Sequence, residues 1–152
     1  MTDIKTVFEN FQGQWFFDRV MDCFLTEETT IASGISRFSK DKEKSVLQYQ
    51  EDGNAVFNQE YKSEFSRKYC YQLKDDLLNI YHVGDQLDGQ FYQSYLLDAT
   101  EKKLNCLETH YCGDDKYAGH YTLIDDNNFT LMTRIKGPRK DCIIRTNFKR
   151  VA

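Results

Sequence analysis

Gly13-Gln14-Trp15-Phe16-Phe17-Asp18-Arg19 holds the chain's single tryptophan on a stretch that alternates as a β-strand does. Trp15, Phe17 and Arg19 share one face, with Phe16, Asp18 and Val20 on the other. Just upstream, Ile4, Val7, Phe8 and Phe11 recur at helical spacing behind Thr2 or Asp3, either of which suits an N-cap. Residues 3–11 therefore read as a short helix laid against one end of what the strands build.

Downstream, one short strand follows another. Residues 29–38 come first, with Ala32, Gly34, Ser36 and Phe38 on one side and Gly34 suited to a bend or close packing. The charged segment Lys40-Asp41-Lys42-Glu43-Lys44 is a turn. Residues 45–51 then place Leu47, Tyr49 and Glu51 together. Asp52-Gly53 reads as a hairpin turn returning through 55–61. The clearest alternation lies at 65–73, where Phe65, Arg67, Tyr69, Tyr71 and Leu73 share a face. Further strands are expected at 77–83, 90–98, 104–111, 117–124, 129–136 and 142–150, separated by Gly-, Asp- and Lys-rich turns. The class is all-β: a single antiparallel up-and-down β-barrel of about 9–11 strands with a short N-terminal helix.

Composition agrees. The chain has 152 residues, one Pro, eight Gly and no linker-like run, which reads as one domain over 1–152, the helix at 3–11 and the barrel at 13–150. Ten Tyr and 11 Phe are many for this length and favour strands. A net charge of −4 without a basic stripe argues against nucleic acid as a partner. No apolar run approaches the roughly 20 residues a spanning helix needs, so no membrane partner is expected. The N-terminus lacks a secretory pattern, and a cytoplasmic location follows. The five cysteines, Cys23, Cys70, Cys106, Cys112 and Cys142, are odd in number and scattered, which suits reduced thiols packed as small hydrophobes.

Gly13-Gln14-Trp15 after a short helix resembles the signature of the lipocalins and the wider calycin superfamily. The resemblance implies that Trp15 sits at the closed end of the barrel with an Arg of the last strand across it. Arg150 fits that role better than Arg145, which lies on the opposite face. The whole chain also resembles a calycin-like family known as a domain of unknown function. The residues that carry this are Trp15-x-x-x-Arg19, Tyr49-x-Glu51-x-Gly53, Arg67-x-Tyr69, His110-x-Cys112-x-x-Asp115-x-Tyr117 and Gly137-Pro138-x-Lys140-Asp141. Secreted lipocalins usually carry a signal peptide and paired cysteines. Neither is visible here, so an intracellular relative is implied.

Polar residues on inward faces are the candidates for chemistry. Arg19, Tyr49, Glu51, Arg67, Tyr69 and Tyr71 would line a cavity suited to an anionic or aromatic small molecule, because a guanidinium grips planar anions bidentately. The competing reading is structural: Arg19 and Glu51 pair with one another, and phenols complete the network. A slip of one residue in register would instead put the whole set in solvent. His110 and Tyr117 fall near the mouth.

His110-x-Cys112 shares a strand face, but further metal ligands at suitable spacing are missing, so no metal is expected. A Cys112–His110 dyad is too widely spaced along a strand. Haem on His82 or His120 has no local support, and no cofactor is expected. The cations of Lys136-Gly137-Pro138-Arg139-Lys140 form either a solvated turn or a guard at the mouth.

Three functions remain open. The first is small-molecule binding. The second is a lipocalin-like enzyme in which Glu51 or His110 moves a proton while Arg19 or Arg67 holds a carboxylate. The third is a protein-interaction module with Tyr92, Tyr95 and Tyr111 as exposed anchors.

Overall fold

The computed structural model describes residues 3–43 and 45–152; Thr2, one of the two N-cap candidates, and Lys44 of the charged turn lie outside the described residues. Helix α1 is Ile4–Asn10, and its N-cap is Asp3, whose carboxylate accepts from the Thr6 amide at 2.8 Å. Ile4, Val7 and Phe8 form its buried stripe.

The strands are β1 (Gly13–Cys23), β2 (Glu28–Lys40), β3 (Val46–Phe57), β4 (Tyr61–Lys74), β5 (Leu77–His82), β6 (Phe91–Asp98), β7 (Lys103–Cys106), β8 (His110–Cys112), β9 (Asp115–Asp125), β10 (Asn128–Lys136) and β11 (Asp141–Arg150). Every pairing is antiparallel; consecutive strands pair except at β7, which pairs with β9, and β11 returns to β1. The sheet therefore closes on itself. Of the 11 strands, only β8 lies outside the closed wall, continuing the line of β7 along the edge of β9. Closure leaves no long unpaired edge.

Where the structure differs from the sequence reading, volume and pairing explain it. Asp52-Gly53 is not a turn: both residues lie inside β3, and the chain reverses at Asn58-Gln59-Glu60 instead. Asn58 and Gln59 supply the positive φ angles, 48° and 63°, that the reversal needs. Gly53 faces Gly34 across the β2–β3 ladder. A Cβ on Gly53 would lie 2.9 Å from the Phe17 ring and 3.1 Å from the Phe65 ring, so this glycine is a seat for aromatics and not a corner. The strand expected at 104–111 is broken at Leu107-Glu108-Thr109, where β7 ends and β8 begins.

The cysteine expectation also fails in part. Cys23 and Cys142 face each other across β1 and β11 and are bonded, with Cα atoms 4.1 Å apart. Their spacing of 119 residues hid them in sequence, yet barrel closure makes them direct neighbours. A crosslink over so long a loop is worth about 2–4 kcal/mol. Cys70, Cys106 and Cys112 are free.

One end of the barrel is plugged. Trp15 is fully buried, and its indole N–H donates to the Phe11 carbonyl at 2.8 Å. The Arg150 guanidinium lies 4.2 Å from the Trp15 ring centre and donates to the carbonyls of Asn10, Gln12 and Asp126. One side chain thereby ties α1, the β9–β10 turn and the last strand together. Gly13 sits at φ 125°, and a Cβ there would meet the Arg150 guanidinium at 3.1 Å. Above this plug Phe11, Phe38, Tyr71, Tyr121, Phe129 and Phe148 pack ring on ring as a floor.

Candidate functional site

Above the aromatic floor the barrel is not filled. A cavity of about 340 Å³ runs from Tyr71, Tyr121 and Phe148 to Leu87 and Cys112 at the far end. That volume lies within the usual range for small-molecule sites. Strict alternation delivers its polar lining: Arg19 from β1, Tyr49 and Glu51 from β3, Arg67, Tyr69 and Tyr71 from β4. His110 of β8 and Tyr117 of β9 line it nearer the mouth. The eight side chains named as cavity candidates, Arg19, Tyr49, Glu51, Arg67, Tyr69, Tyr71, His110 and Tyr117, thus share one lining.

Their partnerships divide them. Arg19 grips Glu51 bidentately, Nη1 to Oε2 at 2.6 Å and Nη2 to Oε1 at 2.9 Å, and its Nε donates to the Thr146 hydroxyl at 2.9 Å. The Tyr49 hydroxyl donates to Glu51 Oε1 at 2.6 Å. Burial by itself would raise the Glu51 carboxyl, but the Arg19 bonds and charge, with Tyr49, outweigh it and hold the group below its ordinary 4.5. Glu51 is therefore a fixed carboxylate, already saturated. Burial, then the adjacent Glu51 charge, pushes the Tyr49 phenol well above its ordinary value, so it stays a donor.

Arg67 differs. Its guanidinium lies 5.8 Å from the Phe65 ring centre, and among the described residues it makes no ion pair and no side-chain hydrogen bond. It faces the cavity but remains open to solvent. Among the described side chains Glu51 is the only carboxylate in the lining, and Arg19 has claimed it. Leaving the histidines aside, the described lining holds two guanidinium groups, Arg19 and Arg67, against the one carboxylate of Glu51.

Around Arg67 stands a collar of rings. Tyr69 and Tyr92 stack at 5.8 Å, His82 lies 5.2 Å from Tyr92, His110 lies 5.4 Å from Tyr92, and Tyr117 is 6.1 Å from His110. Sequence reading placed Tyr92 and Tyr95 outside as anchors, and the structure corrects this. Pairing slips between Ile80 and Tyr81, so Gln93 opposes Ile80 while Phe91 opposes Tyr81. The extra residue, Tyr92, swings into the cavity, and Tyr95 is buried as well. Only Tyr111 of the three is exposed. Alternation cannot reveal a bulge. His82 was legible, since it follows Leu78 and Ile80 on the inner face of β5.

His120 takes no part in this lining, being paired beside Asn105 and Met132 between the inward Gly119 and Tyr121. Among the described residues no three His, Cys, Asp or Glu side chains converge as metal ligands. At the rim, Lys140 lies 4.0 Å from Asp115, which partly neutralises the basic turn.

Comparison with known proteins now fits this geometry. Residues 11–150 match a family described as a family of unknown function, DUF6314. The chain belongs to that family. The match spans β1 to β11, including the residues that carried the resemblance above. No curated protein matches the chain.

Among solved structures, the S-type phycobiliprotein lyase from Guillardia theta superposes with a TM-score of 0.67 at 7% identity, covering 99% of this chain and 94% of the lyase. A DUF3598 protein of unknown function from Nostoc punctiforme gives 0.59 at 13% identity over 95% of this chain and 49% of its own. Rv2717c from M. tuberculosis gives 0.55 at 10% identity over 100% and 99%. At such identities the shared property is the fold alone. Among the described residues no helix is long and apolar enough to cross a membrane.

Proposed function

We propose that this DUF6314 barrel binds a small anionic, aromatic molecule, its anionic group held by Arg67 and its ring within the collar of Tyr69, Tyr92, His82, His110 and Tyr117. One observation carries the reading: Arg67 faces the cavity with no ion pair among the described residues, while Glu51, the one carboxylate in the described lining, is bound to Arg19. A guanidinium without an ion pair, facing a phenol-lined space, favours an anion, and aromatic walls favour a planar body. The superposition on a phycobiliprotein lyase supports a barrel that accommodates a small molecule, without indicating which.

The same pairing disfavours Glu51 as a proton carrier, since a general acid or base needs a free or poised carboxyl. An unfilled interior likewise disfavours the interaction module. A cytoplasmic location stays part of the proposal; in that reducing compartment Cys23 and Cys142 would persist mainly as thiols, with the β1–β11 ladder alone closing the wall.

The test is calorimetric titration with phenylacetate, and with benzylammonium as a control of opposite charge. Phenylacetate should bind and benzylammonium should not. Arg67→Ala should weaken phenylacetate about 10- to 100-fold, as expected for a charge-assisted contact, with Arg67→Lys intermediate. Equal binding of both probes, or indifference to Arg67→Ala, would overturn the reading.

A further inference from the structure

The interior holds a second, smaller space. A lobe of about 150 Å³ opens on the β2–β4 side and is lined by Ala32, Ala55, Phe57 and Phe65, with the hydroxyls of Thr30 and Ser63. Arg19, Met21, Arg67 and Ile144 line both this lobe and the main cavity. The two spaces therefore meet at the arginines.

The lobe has a clear origin in sequence. Two successive inward positions of β2 and β3 carry small residues paired across the ladder, Gly34 with Gly53 and Ala32 with Ala55. At the first pair, the missing side chains are replaced by the Phe17 and Phe65 rings. At the second pair no ring moves in, and the lobe is left empty. Away from the shared arginines and the Thr30 and Ser63 hydroxyls, its walls are alkyl and phenyl groups and the Met21 thioether. That part of the lining has nothing to offer a second charge and gains by covering hydrocarbon.

We propose that the ligand carries two arms on the carbon that bears its anionic group: an aromatic arm in the tyrosine–histidine collar and a short aliphatic arm in the Ala32–Ala55 lobe. This rests on the reading of Arg67 as the anion's partner. With the anion at Arg67, where the spaces meet, a single aryl arm fills only one of them. A second substituent on the same carbon reaches the other. The class is an α-alkyl aryl acid, and two unlike compartments flanking one fixed anion distinguish its mirror images.

The experiment is calorimetry on the full chain with phenylacetate, 2-phenylpropanoate, 2-phenylbutanoate and 2-phenylpentanoate, the last three as resolved enantiomers. Affinity should rise about three- to fourfold for each added carbon until the lobe is full, as burial of a methylene predicts, and in one enantiomeric series only. Ala55→Leu fills the lobe from a residue that does not line the main cavity. It should keep phenylacetate binding while abolishing both the chain-length gain and the enantiomer preference; Ala32→Val is the second variant for the same effect. If phenylacetate binds and the wild-type series is flat or equal for both enantiomers, the two-armed ligand is wrong and the anion site stands. A gain that persists in both lobe-filling variants overturns it equally. If no member of the series binds, both readings fall.

Discussion

Glu51 and Arg19 show how one buried pair fixes what its neighbours are able to do. Both carboxylate oxygens are occupied by Arg19, and one also accepts from Tyr49. That leaves Arg67 as the cation of the described lining without an ion pair; the sequence had offered the Arg19–Glu51 pair as one reading and both arginines as ligand holders as the other. The pair also sets a pH dependence. Glu51 titrates below its ordinary 4.5 in the folded state, so its stabilisation is present above that value and is lost as pH falls through the folded value. Replacing Glu51 by Gln leaves Arg19 buried without its charge partner and should cost about 3 kcal/mol near neutrality. The gap between wild type and Glu51→Gln should shrink below about pH 4.5, as the wild-type carboxyl protonates. Urea denaturation from pH 3 to 7 reads both; a gap that stays constant with pH would mean that the pair does not hold Glu51 ionised.

At the scale of elements, the β2–β3 ladder is decided by what lies beneath it. Asp-Gly ordinarily signals a hairpin, but here Gly53 continues the strand because Phe17 and Phe65 rest on the space where a side chain would be. Gly53→Ala should therefore destabilise the barrel by about 1–3 kcal/mol through overpacking, since the added methyl also falls 2.5 Å from the Ser33 carbonyl. A shift under about 0.5 kcal/mol in denaturant midpoint analysis would show that the rings move aside freely. The β5–β6 pair makes the complementary point. One extra residue there turns Tyr92 inward and completes the collar.

The whole molecule is a graded interior: a packed aromatic plug below, a charged belt in the middle, and a ring-lined cavity with an apolar side lobe above. Phenols hold the lower levels together. Tyr71 and Tyr121 hydrogen-bond to each other at 2.8 Å, and burial pushes these two, with Tyr95 and Tyr49, well above the ordinary phenol value of 10.0. Burial raises Tyr92 as well. Groups with raised folded values stabilise the barrel below pH 10 and lose that contribution as pH rises. In an alkaline titration followed by tyrosinate absorbance, Tyr49, Tyr71, Tyr92, Tyr95 and Tyr121 should remain protonated above pH 10 while the sheet is intact. They should ionise in one cooperative step coincident with loss of the β-sheet circular dichroism signal. Smooth titration of all ten tyrosines with the sheet intact would contradict the packed phenolic interior.

Alternation of side chains and helix spacing in the first residues were written locally, and the resemblance to the calycins added Arg150 across Trp15. They sufficed for an all-β barrel plugged at one end and for naming the inward polar set from Arg19 to Tyr117. What local pattern could not supply was the outcome of closure. Whether Arg19 takes Glu51 or stays free for a ligand, whether Gly53 turns or seats a ring, whether Tyr92 points in, and whether Cys23 meets Cys142 depend on strands far apart in sequence being set side by side. The cavity depends on more still, because an empty volume is the difference between a barrel's radius and the summed side chains of every strand. Period and turn chemistry are properties of neighbouring residues and can be read from the chain; partner choice and vacant space arise only once the wall has closed.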